Sequence, residues 1–229
     1  MRSQVLAEGT EGPVFLWGRY ASGGPGEDKE AESLAAEAAK RMGGRSYTLI
    51  AYEVQSWNGD FSPWPCGALD ESFSGGGERT LRCLLEELVP EVRSRFGRER
   101  KIYLLGYSLA GLFSLWAVGQ TEVFGGAGSC SGSLWYPGFL DWLRANPTVR
   151  GRDIYISLGG REASGGKGLM AGVAECTRET VELLRQENTV KYELNPGGHF
   201  ADSGKRLAKA IWHLTEMERY SKIVLKSEE

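Results

Sequence analysis

Gly106-Tyr107-Ser108-Leu109-Ala110-Gly111 directly follows the apolar run Ile102-Tyr103-Leu104-Leu105 and directly precedes Leu112-Phe113-Ser114-Leu115-Trp116-Ala117-Val118. A strand, a glycine-flanked serine and an almost wholly apolar helix, in that order, predict a nucleophile elbow, the sharp turn that exposes one serine hydroxyl above a parallel sheet. The strict pattern places Gly two residues after the serine, where this chain has Ala110. Strand and helix approach closely at such a turn, so what it needs on both sides is small residues, and alanine is small. A helix apolar all round suits burial between a sheet and its neighbours rather than a surface position. The competing reading is a Gly-rich strand-to-helix turn with an idle serine, and the rest of the chain must decide between them.

Strand-like runs recur at Val14 to Trp17, Tyr47 to Val54, Ile102 to Leu105, Val123 to Gly128, Ile154 to Leu158 and Val190 to Leu194. Helical periods lie between them. Asp28 to Met42 is alanine-rich, and Leu81, Leu84, Leu85, Leu88, Val92 and Phe96 mark one face of a second helix that Pro90 should kink or interrupt. Leu169 to Gln186 and Ser203 to Tyr220 carry further apolar stripes. Alternating strands and helices predict an α/β fold in which about six mostly parallel strands are covered by helices on both faces, with no insertion large enough for a lid. A length of 229 residues with 41% hydrophobic and 25% charged composition fits one such domain over 1–229, with 1–10 and 224–229 frayed.

Composition also excludes function classes. A net charge of -3 and a pI near 5.7, without a Lys/Arg cluster, leave no footprint for nucleic acid. Met1 to Thr10 lacks a positive start followed by an apolar core, and no run of about 18 apolar residues could span a bilayer, so a soluble, cytoplasmic protein without membrane partners is expected. Cys66, Cys83, Cys130 and Cys176 are scattered without C-x-x-C spacing, and only two histidines could join them, so no metal site or cofactor is expected and the thiols read as free in a reducing compartment. The glycine-rich segment from Gly160 to Gly168 fails as a phosphate loop. Arg161 stands where its first glycine belongs, and Gly168 replaces the required Ser/Thr after Lys167.

A serine at its ordinary pKa is a poor nucleophile and needs a base, itself oriented by a third group. His199, in the tight loop Asn195-Pro196-Gly197-Gly198-His199-Phe200 between the last strand and last helix, stands where this architecture delivers its histidine; His213 lies inside the helix. The acid should fall between Ser108 and His199 in chain order, and Glu162 in Gly159-Gly160-Arg161-Glu162 is the carboxylate after the next-to-last strand. Asp141 is the fallback. Asp153 sits at the wrong end of its strand, and Asp202 suits a cap on the final helix. The backbone N–H of Leu109 is one expected oxyanion donor, and the other should come from the loop Gly18-Arg19-Tyr20, as Arg19 or Tyr20. The long loop Gln55 to Gly77 holds Trp57, Asn58, Phe61 and Trp64, which either wall a substrate pocket or pack the loop down.

These segments together, from Gly106 to Phe113, Trp57 to Trp64, Gly159 to Glu162 and Asn195 to Phe200, resemble the putative esterase family of α/β-hydrolases. That family includes esterase D-like enzymes, ferric-enterobactin esterases, feruloyl esterases and mycolyltransferases. The resemblance spans nearly the whole chain and implies an α/β-hydrolase fold and hydrolysis of a small-molecule carboxylic ester by Ser108, His199 and Glu162. One departure is that similar chains often carry Gly-Asp before the Arg/Lys-Glu pair, where this chain has Gly159-Gly160. Acyl transfer with the same triad, and a silent hydrolase fold kept as a binding module, are the alternatives. Specificity, and whether subunits pair as a homo-oligomer, are left open by the sequence.

Overall fold

The computed structural model describes residues 1–21, 28–146, 149–162, 164 and 172–227, with side chains described as far as Tyr220. Seven strands form one sheet in the order β1-β3-β2-β4-β5-β6-β7: β1 (Ser3–Ala7), β2 (Val14–Tyr20), β3 (Thr48–Val54), β4 (Ile102–Tyr107), β5 (Gly126–Cys130), β6 (Asp153–Gly159) and β7 (Thr189–Asn195). All neighbours pair parallel except β1, which runs antiparallel along β3 from Ser3↔Tyr52 to Ala7↔Leu49. Seven strands stand where about six were expected. The N-terminal residues expected to fray supply the extra one, and their backbone covers an edge of β3 that would otherwise stay unpaired.

Side chains alternate across the pleat and divide the core in two. Val14 and Leu16 of β2, Ile50 and Tyr52 of β3, and Leu104 of β4 face one layer, while Phe15, Trp17, Leu49, Ala51 and Leu105 face the other. The second layer is closed by α1 (Lys29–Met42) and α8 (Ser203–Ser227), whose Leu34, Leu207 and Ile211 are fully buried. The side chain of Asp28 caps α1 by accepting from the Ala31 N–H at 3.0 Å. The first layer holds α2 (Trp57–Phe61), α3 (Gly77–Cys83), α4 (Val89–Phe96), α5 (Leu109–Val118), α6 (Phe139–Ala145) and α7 (Val173–Arg185). All ten residues of α5 are buried, as an all-round apolar helix requires.

Several boundaries differ from expectation. The interruption expected at Pro90 is a change of helix type rather than an end to the helix. A π-helical turn, Leu84–Leu88, precedes Pro90 and joins α3 to α4, loosening the backbone where the proline ring would clash and its missing N–H would leave a carbonyl unpaired. The strand expected over Val123 to Gly128 begins instead at Gly126, because pairing to β4 on one side and β6 on the other overrides the propensity of Val123 and Phe124. α8 continues to Ser227, past the tail expected to fray after Ile223. Residues 169–171 of the helix expected over Leu169 to Gln186, residues 22–27 of the segment after β2 and most of Gly160 to Gly168, Lys167 included, lie outside the described residues. Among those described, no helix is long and apolar enough to cross a membrane.

Candidate active site

Ser108 stands between β4 and α5 with φ 55° and ψ -122°, a conformation that costs a side-chain-bearing residue about 1–3 kcal/mol and persists only where the surroundings over-determine it. Here they do. Its N–H donates to the Cys130 carbonyl at 3.0 Å and its carbonyl accepts from the Ser133 N–H at 3.0 Å. A Cβ on Gly106 would meet the Ala110 carbonyl oxygen at 2.0 Å, so strand and helix reach this spacing only with glycine there. Ala110, where the strict pattern has glycine, is fully buried. Burial pushes the thiol of Cys130, behind the elbow, up to about 12, so it stays protonated.

From Ser108 a line of hydrogen-bonded groups crosses the carboxyl end of the sheet. Its Oγ lies 3.0 Å from His199 Nε2, and His199 Nδ1 lies 2.7 Å from Glu162 Oε2. The structure thus brings together, from the ends of β4, β6 and β7, the serine, carboxylate and histidine singled out in the sequence. The other oxygen of Glu162 accepts from the Gly159 N–H at 2.8 Å, from Ser131 Oγ at 2.9 Å and from Arg206 Nη1 at 3.0 Å. Burial works to raise the Glu162 pKa, and the hydrogen bonds from His199, Ser131 and the Gly159 amide outweigh it, leaving the carboxyl below its ordinary range. Gly159, which this chain shares with the Gly-Asp pattern, has a steric reason: a Cβ there would lie 2.5 Å from Glu162 Oε1 and 2.7 Å from the Gly197 carbonyl, whereas at Gly160, where the departure falls, a Cβ would meet only the Asn195 carbonyl at 3.6 Å, an ordinary contact.

The rejected carboxylates stand elsewhere. Asp141 lies on α6 with its side chain 82% exposed and paired to Arg144. Asp153 accepts from the Tyr103 hydroxyl at 2.7 Å at the opposite end of β6, and Asp202 pairs with Lys205. His213 stacks on Tyr155 at 5.2 Å, 3.6 Å from Glu193.

The residues expected for the oxyanion site are placed differently from each other. Leu109 opens α5, where helix N–H groups have no intrahelical acceptor. Arg19 and Tyr20 are not in a loop: they end β2, which is three residues longer than its apolar run. The Val14 N–H donates to Lys101 beside β4, and the Ala21 N–H donates to Val54 at the end of β3. Amides of a central strand alternate between its two neighbours, so the even-numbered Tyr20 N–H faces the β4 side and the Arg19 N–H faces β3. The buried Arg19 guanidinium pairs with Glu53 at 2.6 Å and with Asp28.

The aromatic loop is largely packing. Phe61, expected in a substrate wall, is fully buried, with its ring 5.4 Å from Phe113 and 6.3 Å from Tyr52, and is corrected to a core residue. Trp57 packs edge-on against it at 5.0 Å. Asn58 donates to Ser72 Oγ at 2.9 Å, and Trp64 Nε1 donates to the Pro137 carbonyl at 2.9 Å, fastening the loop to the segment after β5. Trp57, Asn58 and Trp64 remain partly exposed. Two aromatics that the sequence reading did not assign to a pocket are freer: Phe200, 94% exposed with its ring edge-on to His199, and the 56% exposed side chain of Tyr20. Among the described residues no group of three or more His, Cys, Asp or Glu is arranged to hold a metal ion.

Arg206 also escaped the sequence reading. Seven residues past His199 it reads as one more basic residue on an amphipathic helix, yet it is 1% exposed and at the centre of this network. Besides Glu162, its Nη1 reaches Ser131 Oγ at 2.7 Å and the Tyr107 hydroxyl at 3.0 Å. Its Nη2 reaches the Pro196 and Gly198 carbonyls at 3.0 and 2.8 Å.

A mostly parallel sheet with helices on both faces and a strained serine at the turn from β4 into α5 defines an α/β-hydrolase fold. Known proteins agree. A model of the family described as "Putative esterase" matches residues 33–202, and the chain belongs to that family. The IroE-like serine hydrolase from Shewanella oneidensis superposes with a TM-score of 0.72 at 18% identity, over 90% of this chain and 70% of that one. The enterobactin hydrolase IroE in complex with DFP gives 0.65 at 20% identity, over 90% and 83%. An uncharacterized protein, YbbA of Bacillus subtilis (strain 168), is 23% identical over 154 residues, 64% of this chain. The match spans 62% of that relative's length.

Proposed function

We propose that this protein hydrolyses small carboxylic esters through an acyl-enzyme on Ser108. The observation that carries the reading is the line from Ser108 Oγ through His199 to Glu162, with hydrogen-bond spacing at both steps. In this scheme His199 Nε2 takes the hydroxyl proton as Oγ bonds to the ester carbonyl carbon. The tetrahedral intermediate then expels the alcohol, which leaves with that proton. Water next adds to the acyl-enzyme, giving its proton to His199, and the carboxylic acid departs as the proton returns to Oγ. Glu162 holds Nδ1–H and thereby fixes the tautomer that presents a free Nε2 lone pair to the serine.

The Leu109 amide and, on the register of β2, the Tyr20 amide rather than that of Arg19 would receive the oxyanion. Removing one such donor typically costs about 3–4 kcal/mol of transition-state stabilisation. The exposed faces of Tyr20 and Phe200 would meet the ester's substituents, with the exposed parts of Trp57, Asn58 and Trp64 further along the loop. Four free cysteines support a reducing, cytoplasmic setting.

The test combines a fluorophosphonate probe with a panel of p-nitrophenyl and aryl esters. Labelling at Ser108 with turnover of at least one ester is expected, and both should vanish in Ser108→Ala. Labelling that survives at another serine would remove the assignment. A folded wild type inert to every probe and ester would favour a binding module.

A further inference from the structure

We propose that Arg206 is a positioning residue for this reaction, a buried cation to which the acid's turn, the histidine's loop and the nucleophile's strand are all tied. Its two terminal nitrogens divide the task. Nη1 takes Oε1 of Glu162 at 3.0 Å, leaving Oε2 to His199, and in the same fan holds Ser131 and the hydroxyl of Tyr107, the residue before the nucleophile. Nη2 takes the carbonyls of Pro196 and Gly198, the latter directly preceding His199. Tyr107 in turn donates its hydroxyl proton to the His199 carbonyl. Acid and base therefore lie on different loops but take their separation from one planar guanidinium, a fork that a lysine ammonium does not reproduce.

The second consequence is electrostatic. Glu162 is 9% exposed and Arg206 1%, so each charge lies next to its counter-ion with little water to screen it. The other titratable groups facing the pair are Tyr107 from β4 and Cys130 from β5, both kept neutral by burial, with Asp202 ahead of α8 and Arg161 on the acid's turn at the exposed rim. Further out, Glu193 and Lys209 pair with each other. Removing a positive charge beside a carboxylate and an imidazole favours proton binding by both, so loss of Arg206 should move their titration in one direction only, upward.

This inference rests on the ester-hydrolase reading, and one of its measurements needs no turnover. In Arg206→Met, the acidic limb of kcat/KM should move up by about one pH unit and kcat should fall by about 10- to 100-fold with little change in KM. Arg206→Lys should keep the wild-type limb, because the charge remains, but recover only part of kcat, because one ammonium cannot serve both the carboxylate and the two carbonyls. The ring signals of His199, assigned by their loss in His199→Gln, should titrate higher in Arg206→Met than in wild type whether or not any ester is cleaved. An unmoved His199 titration in folded Arg206→Met would overturn the proposal. If that variant does not fold, wild-type kcat in Arg206→Lys would overturn it instead.

Discussion

Gly159 and Glu162 close a turn on each other: the Gly159 N–H donates to the Glu162 carboxylate at 2.8 Å, and the Glu162 N–H donates back to the Gly159 carbonyl at 3.0 Å. The carboxylate that faces His199 is thus aimed by the backbone of its own turn. A methyl at Gly159 would also lie 2.9 Å from Arg206 Nη2, with the carboxylate oxygen nearer still. Gly159→Ala should therefore rotate Glu162 away from His199. A loss of about 10- to 100-fold in kcat, with KM for a small activated ester nearly unchanged, is expected in steady-state assays.

Glu162→Gln keeps the shape of the acid but can present its NH2 to Nδ1 and select the wrong imidazole tautomer. By analogy with the Asp-to-Asn change in serine-protease triads, kcat should drop by about 10⁴-fold while far-UV circular dichroism is unchanged. Asp141→Asn, on an exposed side chain bound to Arg144, should change kcat by less than about twofold. The reverse ranking would move the acid to the fallback position.

Because Glu162 titrates below its ordinary range, it stays ionised through mildly acid conditions and should not limit turnover there. The ionisation governing kcat/KM should then be that of an imidazole, giving a single limb that rises with pH. That profile should disappear with His199→Ala and persist in His213→Gln. Initial rates on an activated ester from pH 4.5 to 9 would show it.

His213 has the opposite relation to pH and acts on stability. Burial first, and the nearby Lys191 second, lower its pKa from 6.5. A histidine depressed in the folded state binds its proton more readily when unfolded, so the folded form loses stability as pH falls below about 6.5 towards the lower folded value. The fall in urea midpoint between pH 7 and pH 5.5 should be smaller in His213→Gln than in wild type. Equal losses in the two would contradict this account.

Much of this was legible from residue order alone. Gly106 to Gly111 between an apolar strand and an apolar helix allows few local structures, and a histidine in a glycine loop before the last helix has few other roles in an alternating α/β chain. What remained hidden depends on tertiary neighbours. Arg206 carries no local sign of burial, because its acceptors come from residues as far away as Tyr107. Phe61 resembles its neighbours Trp57 and Trp64 in sequence, and only the short helix α2 turns it inward. β1 is brief and half polar, and nothing in it announces that it will complete β3's edge. The choice between Arg19 and Tyr20 is a matter of strand parity, which exists only once β2 has partners on both sides.

The histidine loop hangs from β7, an edge strand paired with β6 alone and exposed or half-buried along all but its last residue. Local opening starts where backbone pairing is one-sided and little apolar surface is buried, whereas β4 and α5 lie in the core and should open only with the whole molecule. Heat should therefore silence this protein before it melts it. On a slow ramp, ester turnover would fade while the fluorescence of the buried Trp17 still reports an intact interior, and amide exchange would erase β7 well ahead of β4.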